Sequence, residues 1–282
     1  MTQMKPLQHF FLTLVSGLGS FSLWAQVPAS IPDSLAQPTA QAHAHNDYEH
    51  DRPLFDALDA GFCSVEADVY LIEGQLLVAH DRDKVKPERT LQSLYLNPLK
   101  QIAGRNKDAS VYPGVDAPRF YLLIDLKSEA ETTYTALHAV LSEYKNLLTE
   151  FGKDGSIDYR AVTVIISGNR PKAMMAEQEV RYAGFDGRLG DLGKGDSPAL
   201  VPWISDNFSQ HFDWRGDGPM SDAELAKLRS LVEKTHAEGK QLRLWATPDN
   251  PAMWDILHNS GVDWINSDRL KELSEHFRKA SE

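Results

Sequence analysis

The sequence predicts a (β/α)8 TIM barrel in a single domain, preceded by a signal peptide, and three observations carry the barrel. Short β-like apolar runs alternate with longer helical stretches over about 240 residues, the rhythm of a parallel sheet wrapped by helices. Two of those runs hold charged pairs, Glu66 with Asp68 and Asp125 with Lys127, and barrel chemistry gathers at strand C-termini. The Gly-rich first turn with which a doubly wound sheet binds dinucleotides is missing.

In chain order the expected strands are Ala42–His45, Cys63–Tyr70, Phe120–Leu126, Val162–Ser167, Arg188–Asp191, Val201–Ser205, Gln241–Ala246 and Asp263–Asn266. A further run, Gln75–Ala79, follows a Glu73-Gly74 turn and reads as the return arm of a hairpin. Between them the spacing predicts helices over Pro53–Ala60, Leu91–Ala103, Glu129–Phe151, Pro171–Tyr182, Asp222–Glu238, Ala252–Ser260 and Leu270–Ala280. Ser221 with Glu224 three residues on marks a helix start, and Gly61, Gly239 and Gly261 mark helix ends.

The N-terminus reads as an export signal. Lys5 precedes an apolar run from Phe10 to Trp24, and Leu23-Trp24-Ala25 offers a cleavage site before Gln26. That run is about 15 residues, short of the roughly 20 that span a bilayer, and no cysteine follows it to carry a lipid. We therefore expect a signal peptide over 1–25, a Pro/Ser/Ala-rich linker over 26–40 and the barrel over 41–282. The protein would be exported, periplasmic or extracellular, without a stable membrane anchor. A net charge of −11 argues against nucleic acid as a partner. The lone Cys63 excludes an internal disulfide and a cysteine-rich zinc site, and reads as an inert buried thiol.

Side chains alternate along a strand, so Glu66 and Asp68 share a face with Ser64, while Val65, Ala67 and Val69 face the helices. Buried carboxylates need a compensating cation or hydrogen-bond donor. Asp125 and Lys127 share one face of another strand, opposite Leu122, Ile124 and Leu126. Glu66, Asp68 and Asp125 would converge at the mouth, where three carboxylates suit one divalent cation, Mg2+ or Ca2+, better than Zn2+. His45 and His80 end two strands beside them, and an imidazole pair can supply general base and general acid. His43 shares the face of His45 and would lie one layer deeper.

These residues resemble a family. His45-Asn46-Asp47-Tyr48, Glu66-x-Asp68 and His80 are similar to the core of the phosphatidylinositol-specific phospholipase C and glycerophosphodiester phosphodiesterase superfamily, and Asp125-Leu126-Lys127 resembles its third metal ligand and lysine. Leu244-Trp245-Ala246-Thr247 and Gly261–Asp268 are similar to its closing segments. With Arg89–Tyr95, the whole most resembles the altered inheritance of mitochondria protein 6 group, from about His43 to Asp268. The His-Arg-Gly turn of glycerophosphodiesterases is absent, so the resemblance implies phosphodiester chemistry more firmly than any head group.

The resemblance implies metal ligands Glu66, Asp68, Asp125 and Asn46, with His45 as base, His80 as acid and Lys127 neutralising charge on the phosphorane. Trp245 would wall the head-group pocket and Arg170 would contact phosphate. The expected substrate is a small-molecule or lipid phosphodiester. Two other readings are weighed: a non-catalytic phospho-ligand-binding barrel, and an amidohydrolase-type metalloenzyme using His43-x-His45, which would need further histidines at later strand ends.

Overall fold

The structure, a computed structural model, describes residues 35–114 and 118–281, so the expected signal peptide and the linker up to residue 34 lie outside the described residues. Its strands are β1 (Thr39–Ala44), β2 (Phe62–Ile72), β3 (Gln75–Val78), β4 (Phe120–Leu126), β5 (Glu150–Gly152), β6 (Ile157–Asp158), β7 (Val162–Gly168), β8 (Val180–Arg181), β9 (Gly184–Gly187), β10 (Trp203–Asn207), β11 (Gln241–Trp245) and β12 (Trp264–Ser267). Eight of them pair in parallel around a ring in the order β1, β2, β4, β7, β9, β10, β11, β12, and β12 pairs back onto β1. The ring is the expected eight-stranded barrel. As the hairpin signal predicts, β3 runs antiparallel along β2, with Val69 opposite Val78 and Ile72 opposite Gln75.

Helices α1 (Phe55–Asp59), α2 (Asn97–Arg105), α3 (Ala130–Glu143), α4 (Lys172–Glu177), α5 (Phe208–His211), α6 (Asp222–Ala237), α7 (Pro251–Asn259) and α8 (Leu270–Ser281) fill the connections. On α6 the buried residues Leu228, Val232 and Thr235 recur at helical spacing and give it one apolar face. Ser221 caps α6 by accepting the Glu224 N–H, and Gly61, Gly239 and Gly261 all take positive φ at helix ends. The described residues form one compact unit, and no helix among them is long and apolar enough to cross a membrane. Cys63 is buried, and burial pushes its thiol up to about 12, which keeps it inert at neutral pH.

The barrel interior changes character from bottom to top. At the N-terminal strand ends, Tyr121, Trp203 and Trp264 pack ring against ring, with centroids 4.8–5.4 Å apart. Both indole N–H groups donate to Gln241 Oε1. Above this floor the interior is polar. Asp186 is fully buried and accepts from Ser167, Ser205 and Arg188, and Glu66, Arg243, Asn266, His43 and Ser64 form a second network described below.

Several element boundaries differ from expectation. The fifth ring strand is Gly184–Gly187, and the Arg188–Asp191 run instead starts as a cap and becomes a short 3-10 turn. The glycines that hide this strand are a packing need. A Cβ on Gly184 would meet Pro202 Cγ at 2.3 Å, and one on Gly187 would meet Val201 Cγ1 at 2.7 Å. The next strand is shifted to Trp203–Asn207, because Val201 closes a turn onto the Ser197 carbonyl. The helix expected over Glu129–Phe151 stops at Glu143, and Phe151 joins β5 of a small antiparallel sheet with β6 and β8. Leu147, Leu148 and Phe151 mimic helical spacing but are buried in a turn and a strand. Likewise Pro171–Tyr182 yields only α4 before Val180–Arg181 pairs with β5. The Leu91–Ala103 helix opens with a wide π turn, Gln92–Leu96, and runs on to Arg105.

Replacing Gly184 by Ala is expected to cost about 1–3 kcal/mol through overpacking against a rigid proline ring. Gly190→Ala, with nothing within 4 Å of the added Cβ, should stay within about 0.5 kcal/mol of the parent. Denaturant unfolding of both variants checks the contrast.

Candidate active site

Strand β2 delivers Glu66 and Asp68 to the inner face, and the register with β4 sets Asp125 directly beside Asp68. One ligand oxygen from each of the three carboxylates lies within 4.8 Å of the others. Glu66 is 6% exposed and Asp68 1%, so their charges must be answered locally.

The answer to Glu66 comes from across the barrel. Arg243, in the middle of β11, donates from Nη2 to Glu66 Oε2 at 2.7 Å and from Nε to Asn266 Oδ1 at 3.0 Å. His43 Nε2 lies 3.3 Å from the same Glu66 oxygen, and His43 Nδ1 lies 2.7 Å from Ser64 Oγ. Burial alone would raise the Glu66 pKa, but the Arg243 charge and the His43 hydrogen bond hold it well below the usual carboxylate range. Burial, aided by Arg243, lowers His43 to about 3. A neutral His43 has one ring hydrogen, which belongs on the carboxylate side, so Ser64 donates to Nδ1. His43 is thus a deeper support for Glu66, as its position one layer down predicts.

Asp68 and Asp125 share a single cation. Lys127 Nζ is 3.0 Å from Asp68 Oδ2 and 3.1 Å from Asp125 Oδ1, and its backbone N–H is tied to the Val69 carbonyl. Burial raises Asp68 to about 6 and raises Asp125 as well, with Lys127 opposing both shifts. Asp68 Oδ1 is buried with no hydrogen-bond partner. Asp125 rests on Gly168, at the end of β7. A Cβ there would meet Asp125 Oδ1 at 2.2 Å, and its φ of +69° suits glycine.

The loop after β1 reaches the same carboxylates from above. Asn46 adopts a left-handed conformation, φ 48°, which asparagine tolerates better than most residues. Its Oδ1 accepts from the Tyr48 hydroxyl at 2.8 Å, and its Nδ2 lies 3.2 Å from His45 Nδ1. The Tyr48 hydroxyl is also 2.7 Å from Asp68 Oδ2 and 3.0 Å from His80 Nδ1. His45 Nδ1 is 3.0 Å from Asp268 Oδ1 beyond β12. Burial would lower the His45 pKa, but Asp268 and the negative charge of Glu66 outweigh it and raise the value.

Tyr48 has one hydroxyl hydrogen for two oxygen acceptors, Asn46 Oδ1 and Asp68 Oδ2. With the orphaned Asp68 Oδ1, the acceptors around Tyr48 and Asp68 outnumber the hydrogens, although deeper in the barrel the Asn266 Nδ2 donor is also unpartnered, and the three carboxylates face only two cations. That donor set fits a hard divalent cation, held by Glu66, Asp68 and Asp125 with Asn46 beside them.

Of the expected site residues, the structure thus gathers Asp68, Asp125, Lys127, His80, Asn46 and His45 around Tyr48, and it sets Glu66, bonded instead to Arg243 and His43, within 4.8 Å of Asp68 and Asp125. Trp245 and Arg170 stand apart from it. Half-buried Trp245 ends β11 opposite Asn207. Arg170 lies over the Phe185 ring at 4.8 Å and donates to the Gly168 carbonyl, its Nε buried without a partner. Neither makes a hydrogen bond or ion pair with the three carboxylates among the described residues. Three participants were not assigned from the sequence: Arg243, Tyr48 and Asp268. An arginine inside the buried run Leu242-Arg243-Leu244 was the available signal for the first.

Residues 36–186 match the family described as AIM6-like phosphodiesterase domain. The "Altered inheritance of mitochondria protein 6 homolog" of Arthroderma benhamiae is 29% identical over 261 residues, covering 83% of this chain and 83% of that protein. "Altered inheritance of mitochondria protein 6" of Saccharomyces cerevisiae is 31% identical over 270 residues, covering 81% of this chain and 68% of that protein. Among solved structures, a glycerophosphodiester phosphodiesterase from Agrobacterium tumefaciens aligns with a TM-score of 0.47 at 17% identity, covering 84% of this chain and 99% of that one.

Saturating Mg2+ or Ca2+ should stabilise the folded protein by about 2.7 kcal/mol at a hundredfold excess over Kd, a rise in Tm of roughly 5 °C or more. Asp125→Asn should remove most of that increment. A melting curve that ignores both cations would leave the carboxylate cluster without a metal.

Proposed function

The chain belongs to the AIM6-like phosphodiesterase domain family, and from that premise we propose that it hydrolyses a phosphoric diester with the help of one divalent cation. The observation that carries the proposal is the trio Glu66, Asp68 and Asp125 at the barrel mouth, short of hydrogens and flanked by two imidazoles. The substrate would be a small-molecule or lipid phosphodiester.

A cation on the three carboxylates would supply positive charge to a non-bridging phosphate oxygen. The chain's own residues supply the rest. Arg243 and His43 keep Glu66 ionised, and Lys127 faces the same mouth with a charge that can stabilise the developing phosphorane. His45 is anchored through Nδ1 on Asp268, which leaves Nε2 free to take the proton of the attacking hydroxyl. His80 is anchored through Nδ1 on Tyr48, which leaves its Nε2 free to protonate the departing alkoxide. A P–O bond to the attacking oxygen forms, the P–O bond to the leaving oxygen breaks, and one proton moves from nucleophile to base while another moves from acid to leaving group. The nucleophile is water or a neighbouring hydroxyl of the substrate. Trp245 and Arg170, at the rim, would contact the head group and a phosphate oxygen.

We also read the protein as exported to the periplasm or beyond the cell, on the strength of its apolar N-terminal run. N-terminal sequencing of material recovered outside the cytoplasm should begin at Gln26.

With bis(p-nitrophenyl) phosphate as substrate, His45→Ala and His80→Ala should each lower kcat by about 10²–10⁴-fold while lowering the unfolding free energy by no more than about 1.5 kcal/mol. Exhaustive chelation should abolish turnover, and restored Mg2+ or Ca2+ should recover it. Near-parental rates in both histidine variants would overturn the acid–base pair.

A further inference from the structure

A cavity of about 380 Å³ adjoins the mouth on the hairpin side, with Tyr48, Glu49, Ala79, Lys84, Lys86 and Arg89 in its lining. That volume lies at the small end of pockets that take small molecules. Tyr48 is common to the cavity and the mouth, since its hydroxyl touches Asp68 and His80 and its carbonyl accepts from Arg89 of the cavity lining. Ala79 immediately precedes His80, and its N–H donates to the Asp68 carbonyl. The cavity therefore opens within one small-molecule length of the reacting centre.

Its charge is out of keeping with the chain. The protein has net charge −11, yet three cations line this cavity against one acid, Glu49. Lys84 is paired with Asp81 at 2.8 Å. Lys86 has no ion pair or side-chain hydrogen bond among the described residues, and the Arg89 guanidinium bonds only to the Tyr48 carbonyl. Two cations thus line the cavity outside any ion pair among the described residues, the Arg89 charge being felt by the buried Asp47 carboxylate.

Their backbone is built rather than loose. Residues Lys86 to Arg89 close a turn through the Arg89 N–H on the Lys86 carbonyl, with Pro87 in the second position that favours such turns. The Arg89 carbonyl accepts from Val78 N–H at 2.8 Å, which locks the turn to β3. The hairpin that presents His80 also presents these cations.

We propose that this cavity binds a phosphate monoester carried by the substrate itself, so that the preferred substrate is a phosphodiester bearing a second, terminal phosphate on the half that lies toward the hairpin. The inference rests on the phosphodiesterase reading and narrows its substrate class. A phosphate offers the charge and the acceptor oxygens that Arg89 and Lys86 lack, and charge-assisted bonds of this kind are the strong ones. Phosphorylated lipid head groups and soluble phosphorylated diesters share this chemistry.

The test compares substrate pairs. One pair is glyceryl p-nitrophenyl phosphate with and without a phosphate monoester on its far hydroxyl. The other is vesicles of phosphatidylcholine doped with phosphatidylinositol or with its monophosphate. The expected result is a preference for the phosphorylated member of at least one pair, read as a ratio of kcat/KM, and a loss of about tenfold from that ratio in Lys86→Gln. Preference in the glyceryl pair assigns a soluble substrate, and preference in the vesicle pair assigns a lipid. No preference in either pair, or a ratio indifferent to Lys86→Gln, overturns the proposal.

A separate arm keeps its failure apart from failure of the hydrolase reading. Should no diester turn over with any cation, titration calorimetry with glycerol 3-phosphate in chelator-containing buffer still examines the cavity. Saturable binding that weakens about tenfold in Lys86→Gln supports the site, and its absence in the parent protein overturns it.

Discussion

Three carboxylates drawn from two adjacent strands into one poorly hydrated barrel mouth set the terms for the surrounding structure. Removing a carboxylate from water costs several kcal/mol unless it is paired and hydrogen-bonded. Glu66 meets that cost with a cation and a neutral imidazole of its own, Arg243 and His43. Asp68 and Asp125 have only Lys127 between them. The pKa directions follow from this inequality. The well-partnered acid is held low, and the two that share a lysine are pushed up by burial. The mouth is left with one negative charge in excess and a buried oxygen without a hydrogen, the condition that a divalent cation relieves.

The barrel separates stability from chemistry along its axis. Its floor is aromatic, with Gln241 accepting both indole N–H groups so that two large rings can be buried without an unsatisfied donor. Above the floor, the layers that commonly hold branched apolar side chains hold serine, aspartate, arginine and histidine instead. Most of these polar atoms have partners, the exceptions being the acceptor Asp68 Oδ1 near the mouth and the donor Asn266 Nδ2 below it. A polar interior of this kind is weak evidence for stability. It gives the acids at the top a rigid, hydrogen-bonded foundation.

Most of this was legible in the sequence where period-two alternation carried the information. The shared face of Glu66 and Asp68, the pairing of Asp125 with Lys127, and the eightfold alternation all depend on local geometry, which a strand transmits faithfully. The resemblance to the altered inheritance of mitochondria protein 6 group agrees with the family match over residues 36–186. What escaped depended on distant packing. Arg243 and Glu66 are 177 residues apart and meet across the lumen, so neither strand alone names the other as its partner. Strand β9 was missed because its glycines, required by Pro202 and Val201, carry none of the branched side chains by which strands are recognised. Leu147, Leu148 and Phe151 misled in the opposite sense, since their helical spacing serves a turn and a short strand.

Tyr48 shows why the loop after β1 can be precise although it lies outside regular structure. Its ring is 2% exposed, its hydroxyl is fixed by Asp68 and His80, and its carbonyl is held by Arg89. The preceding Asp47 is buried and accepts from Leu54 N–H and from the Tyr95 hydroxyl, the latter presented by the π turn. Five residues therefore hold two successive ones. His45 and Asn46, just before them, have little freedom left, and Asp268 orients the His45 ring from beyond β12. A catalytic group must stay within a fraction of an ångström of its working position. Both imidazoles are anchored, His45 by Asp268 and His80 by Tyr48, which is what the proposed acid–base roles require. Tyr48 also belongs to the lining of the neighbouring cationic cavity, so the residue that aligns His80 is common to that cavity and to the mouth.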